Sequence, residues 1–187
     1  MIASCTSVHR DGPSSTTTNN PGSRTTTTAR SSSTTTTTTF PKAFGVGLAV
    51  YHFVDATAKL LDPATGATLT GRRLTTEIRY PTLEQSGAGS AAGPRLGAPP
   101  ARAYGPFPVI VFAHGFDTLP DTYAALLDSW VRAGFAVVSP IFPDENEHTV
   151  TADNGIADPV VGARAESDEV NEPADIAFVL RQVAALD

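Results

Sequence analysis

The residues best placed to do chemistry in this chain are His114, Gly115, Phe116 and Asp117, which follow directly on the apolar run PVIVFA at residues 108–113. β-Branched and aromatic residues without polar alternation predict a strand buried on both faces, as in a parallel sheet. Gly115 then lets the backbone turn sharply at the strand's C-terminal end. In open α/β sheets that end is where ligands bind, so the turn marks a candidate site. The same pattern also closes buried strands that have no catalytic part.

Other chemistry-bearing residues carry less. Asp144-Glu145-Asn146-Glu147-His148 places carboxylates beside a histidine. Oxygen-ligand cation sites need a more regular spacing and a turn glycine, so a solvated acidic loop is the expected reading. His52 has no partner at metal-ligand spacing and reads as a surface or packing residue. The lone cysteine, Cys5, excludes an internal disulfide.

These residues need elements to hold them. Tyr123, Leu126, Leu127, Trp130 and Val131 recur at helical spacing, with Asp121 as the expected N-cap and Gly134 as the stop. Residues 135–140, FAVVSP, are a second apolar run ended by proline. Strand, helix, strand predicts a βαβ unit with parallel strands. Residues 45–54 predict a first strand, residues 55–66 a turn, and residues 71–80 a half-buried antiparallel strand. Residues 81–106, dense in Gly, Ala and Pro, predict a disordered surface excursion, and residues 153–168 a mobile or connecting segment. Ile176, Val179, Leu180, Val183 and Leu186 give a final helix its apolar face.

FPVIVFAHGF, the helix after it and AGFAVVSPIFP together resemble the early sheet of the α/β-hydrolases. The nearest branches are the dienelactone-hydrolase, platelet-activating-factor acetylhydrolase, chlorophyllase and cutinase-like enzymes. GRRLTTEIRYP at residues 71–81 resembles their strand ending in Tyr-Pro, and NEPADIAFVL at residues 171–180 the helix before their nucleophile strand. The resemblance covers roughly residues 44–187. It implies an α/β fold comprising the N-terminal part of a hydrolase sheet, mostly parallel with an antiparallel start. It also implies that the Phe116 amide is an oxyanion-hole donor, that its side chain walls the acyl pocket, and that His114, Gly115 and Asp117 support turn and pocket. His114 is not the implied base, which in this family follows the nucleophile and the acid. No metal or organic cofactor is implied.

Such enzymes carry a G-x-S-x-G nucleophile elbow followed by an acid and a histidine. The sequence contains no G-x-S-x-G; Gly89-Ser90-Ala91-Ala92-Gly93 has the wrong spacing and sits in a linker. Asp175 precedes the expected nucleophile, so chain order makes it structural. Nucleophile, acid and base are expected beyond Asp187, so residues 41–187 read as a partial hydrolase domain, inactive as given. Truncation there is expected to leave strand edge unpaired near Phe107 and Phe135.

Residues 1–40 read as a disordered Ser/Thr-rich tether, since residues 14–39 cannot bury enough apolar surface to offset ordering entropy. Such tracts suit extracellular spacers. Ile2-Ala3-Ser4-Cys5 resembles a bacterial lipobox, which makes Cys5 a lipidation candidate and membrane anchoring a possibility, although no charged or apolar leader stands before it. The expected place is extracellular or the cell envelope. A net charge of −6 with no basic patch argues against a nucleic-acid partner. The leading function is a secreted or lipid-anchored serine hydrolase of carboxylic esters; the alternative is a non-catalytic surface or interaction module.

Overall fold

The computed structural model describes residues 40–61, 67–84, 93–152 and 159–186. The expectations for residues 1–39, including Cys5 and most of the tether, lie outside them.

Among the described residues five strands form one sheet: β1 (Gly45–Leu61), β2 (Thr68–Thr82), β3 (Arg95–Leu96), β4 (Val109–Val111) and β5 (Ala136–Ile141). Their order is β3-β1-β2-β5-β4. β1 and β2 pair antiparallel, as do β2 and β5, while β1 with β3 and β4 with β5 run parallel. The antiparallel start and the parallel pair across the βαβ unit are as expected, but the described pairs are evenly mixed where a mostly parallel sheet was expected. The reason is that β1 and β2, its longest strands, pair as an antiparallel couple and set the direction for β5.

The expected turn at residue 55 is a bulge instead. Asp55 Oδ1 accepts the Thr57 N–H at 2.9 Å, the Thr57 hydroxyl at 2.7 Å and the Ala58 N–H at 3.2 Å. These bonds, the Thr57 hydroxyl first, hold the Asp55 carboxyl below its ordinary pKa. The register with β2 shifts between Asp55 and Lys59, and β1 continues to Leu61. Gly47 is required by a close approach: a Cβ there would run into the Tyr80 ring on the paired strand.

Helix α1 (Ala124–Arg132) follows a 3₁₀ turn at Pro120–Tyr123. Asp121 does not cap it, because its carboxylate is taken by Arg79. The C-terminus is a Schellman motif, with Gly134 at φ +98°, its N–H on Val131 O at 2.9 Å and the Phe135 N–H on Trp130 O at 3.1 Å. Helix α2 (Glu147–Ala152) follows β5, and α3 (Pro159–Ala184) is the last element. Residues 159–168 are therefore helical where a connecting segment was expected. Part of the expected surface excursion is also ordered, since β3 pairs with β1 and residues Arg102–Tyr104 form a 3₁₀ turn.

Alternation along the strands builds two cores. Leu74, Ile78 and Val138 meet Phe178 and Val179 of α3, with Tyr51, Phe53, Val183 and Leu186 around them. Val46 and Val137 meet Leu127 and Val131 of α1, with Ile110, Phe112 and Trp130 around them. Each Leu or Val fully withdrawn from water in these clusters stabilises the fold by roughly 1.5–3 kcal/mol.

Two strand expectations need correction. β5 lies between β2 and β4 with both edges paired, so of these two neighbouring strands only β4 leaves an edge without a partner among the described residues. β4 is not buried on both faces either: Val109 is exposed and Ile110 and Val111 are half-buried. A strand with one neighbour keeps part of its apolar surface in water.

Candidate functional site

β4 and β5 run parallel, so the turns after them emerge side by side at the same end of the sheet. The first turn carries His114, Gly115, Phe116, Asp117 and Thr118. The second runs from Phe142 into α2.

Hydrogen bonds clamp the two turns together. His114 is buried, and its Nε2 accepts the Phe142 N–H at 3.0 Å. An accepting Nε2 leaves the ring proton on Nδ1, which lies 3.0 Å from Gly115 O and donates to it. The His114 and Phe142 rings also stand 5.2 Å apart. The Asp117 N–H donates to Glu145 O at 2.8 Å, and the Thr118 hydroxyl to Gly115 O at 2.6 Å. Thr118 and Asn146 form an isolated parallel bridge.

This clamp forces an unusual backbone. Asp117 has φ +54°, a left-handed conformation that Asp tolerates better than most residues. Phe116 precedes it, and its N–H makes no hydrogen bond among the described residues. The residue itself is 37% exposed, unusual for a phenylalanine.

The second turn overturns the expectation of a solvated acidic loop. Glu145 and Asn146 are buried at 3% and 6% exposure. Asn146 Nδ2 donates to Phe142 O at 2.7 Å, Pro143 O at 2.9 Å and the Thr149 hydroxyl at 3.1 Å. Its Oδ1 accepts the N–H groups of His148 and Thr149, which caps α2. An asparagine that saturates its own turn makes a rigid wall. The legible signal for it was an Asn standing immediately before a helical stretch.

Other singled-out residues lie elsewhere. Asp175 is buried and accepts from Arg72 Nε at 2.7 Å, on the α3 side of the sheet. His52 is exposed and shares a hydrogen bond of 3.1 Å with the Thr75 hydroxyl. Ser139 is fully buried, and its hydroxyl has no partner among the described residues. Among those residues no group of three or more His, Cys, Asp or Glu side chains is arranged to hold a metal ion. No described helix is long and apolar enough to cross a membrane.

With this geometry in place, the comparisons with known proteins concern the fold. No protein-family model matches the chain, and no curated protein does. Among solved structures it is similar to a ferulic acid esterase from Streptomyces cinnamoneus, with a TM-score of 0.50 and 24% identity, over 73% of this chain and 46% of that one. The chain spans about half the length of that structure. Its fold is an esterase-like mixed α/β sheet.

Proposed function

We propose that this chain forms the oxyanion-donor side of a serine-type hydrolase acting on carboxylic esters, in the dienelactone-hydrolase, platelet-activating-factor acetylhydrolase, chlorophyllase and cutinase-like branch. One observation carries the reading: the Phe116 amide has no hydrogen-bond partner among the described residues, on a turn fixed on both sides by His114 and Asp117. A backbone donor held still before the reaction begins stabilises negative charge that appears only in the transition state, and removing one such donor costs about 10²–10³ in rate. Gly115 keeps the approach to that amide free of a side chain, and Phe116 borders the space where an acyl group would lie.

In this reading the nucleophile comes from a strand along the free edge of β4, and its following amide supplies the second donor. Acid and base follow it in the chain. The enzyme works outside the cell or at its envelope, and lipidation of Cys5 with the Ser/Thr tether would hold it there.

A second reading, a non-catalytic module on a hydrolase-like fold, is favoured by the commitment of both His114 ring nitrogens to backbone partners, which leaves that ring no part as a base. The two part at the bench. The 187-residue protein is expected to leave p-nitrophenyl acetate and butyrate at background. A version extended past Asp187 in the natural reading frame is expected to hydrolyse both and to be labelled by a serine-directed fluorophosphonate. Extended protein without label or turnover would sink the esterase reading and leave the module.

A further inference from the structure

A groove of about 360 Å³ is lined by Arg73, Thr75, Ile141, Pro143, Asn146 and His148. Its floor is the cross-strand pair Thr75 and Ile141, and its wall is the rigid turn built around Asn146. Arg73, Thr75 and Arg79 alternate onto one face of β2, the face that α1 covers further along at Arg79. There Arg73 is exposed and Thr75 half-buried.

Arg73 differs from the other arginines of β2 and β3. Arg72 is paired with Asp175, Arg79 with Glu77, Asp121 and Asp128, and Arg95 with Glu84. Arg73 makes no ion pair or hydrogen bond among the described residues, and its partner across β1 is Val54. The His148 ring likewise makes none there. A guanidinium without a carboxylate therefore stands beside an imidazole and a hydroxyl, over the apolar surfaces of Ile141 and Pro143.

We infer that this groove binds a small amphiphilic monocarboxylate. The planar fork of Arg73 takes the carboxylate with two parallel N–H donors, which a neutral ligand does not reward. Ile141 and Pro143 take a compact apolar body, which a free inorganic anion lacks. One cation matches one negative charge. The site stands on the groove alone and holds whether or not Phe116 serves in catalysis.

The test is a titration of the ¹⁵N-labelled 187-residue protein with sodium benzoate, followed by amide shifts, with benzamide as the neutral control. Saturable shifts at Arg73, Thr75, Ile141, Asn146 and His148 are expected, without that pattern from benzamide. Arg73→Gln is expected to weaken benzoate by about tenfold, the loss of one charge-assisted pair. Arg73→Lys, which keeps the charge and loses the fork, is expected to weaken it less and covers the case in which the glutamine variant misfolds. Shifts that fail to saturate, that cluster elsewhere, that benzamide reproduces, or that both variants leave unchanged would overturn the inference.

Discussion

β2 carries two buried arginines seven residues apart, and the odd spacing sends them to opposite faces of the sheet. Arg72 reaches α3, where Asp175 accepts from its Nε at 2.7 Å and Asp144 stands at 3.8 Å. Arg79 reaches the α1 side and meets Asp128 at 2.9 Å, Glu77 at 3.3 Å and Asp121. Both cations are withdrawn from water, yet their partners differ. The Asp175 side chain is 6% exposed, whereas that of Asp121 is 72% exposed. One helix is tied by a buried carboxylate at close range. The other is tied through Arg79 to Asp128 of α1 and to Asp121 of the 3₁₀ turn before it, the second almost in solvent, while Glu77 of the same strand adds a third carboxylate to the guanidinium.

The difference sets what each tie costs to break. Removing one member of a buried ion pair leaves an uncompensated charge, at about 3–5 kcal/mol. Asp175→Ala is therefore expected to be the most damaging substitution of the set, lowering stability by roughly that amount in urea unfolding. A loss below about 1 kcal/mol would mean that Asp144 or another contact of Arg72 takes over the guanidinium and that the α3 side is as redundant as the α1 side.

The two ties also show what was legible in the residues. The helices themselves were visible, because Leu127 and Val131 lie on one helical stripe and Val179 and Val183 on another, and burial follows such stripes. Gly134 as a helix stop was equally plain, since its positive φ is a local requirement. Asp121 was not: an aspartate before a helix reads as a cap, and only the fold brings Arg79 close enough to claim it. The same holds for the turn at the candidate site. His114-Gly115 at a strand end was readable as a turn, but its lock, the Phe142 N–H on His114 Nε2, joins residues 28 apart in the chain. Asp144 to His148 looked like a solvated acidic run because composition gives charge without direction, and Glu145 and Asn146 point inward. The antiparallel character of β2 was readable in its alternation, but which strand it would meet on its far side was not: the pairing of β2 with β5 is set by tertiary neighbours.

The α1 side offers a graded test of the comparison. Asp128→Ala removes a carboxylate only 14% exposed, while Glu77 and Asp121 stay on the guanidinium. A loss of about 1–3 kcal/mol is expected, the range for hydrogen bonds to charged groups. Asp121→Ala removes a largely solvated partner and is expected to cost about 0–1 kcal/mol. Stability losses are expected to fall in the order Asp175, Asp128, Asp121. Equal losses for Asp128 and Asp121 would show that depth is not what grades these contacts.

The smallest effect is a pH dependence confined to the α1 side. Burial raises the Glu77 carboxyl above its ordinary value of 4.5, and the nearby Asp121 charge adds to the rise against the opposing pull of Arg79. A raised carboxyl holds its proton longer in the folded chain than in the unfolded one. Below pH 4.5 both states are protonated and the group is neutral in the balance; as pH rises from there through the raised value, the folded state binds more protons and stability falls. Glu77→Gln keeps an oxygen acceptor for Arg79 and cannot ionise. Its stability is expected to match that of the unsubstituted chain at acid pH and to exceed it above the window, in urea unfolding repeated from pH 4 to 8. The opposite trend, with the glutamine variant losing ground as pH rises, would mean that Arg79 outweighs burial at Glu77 and that all three carboxylates hold the arginine as ions, much as Asp175 holds Arg72.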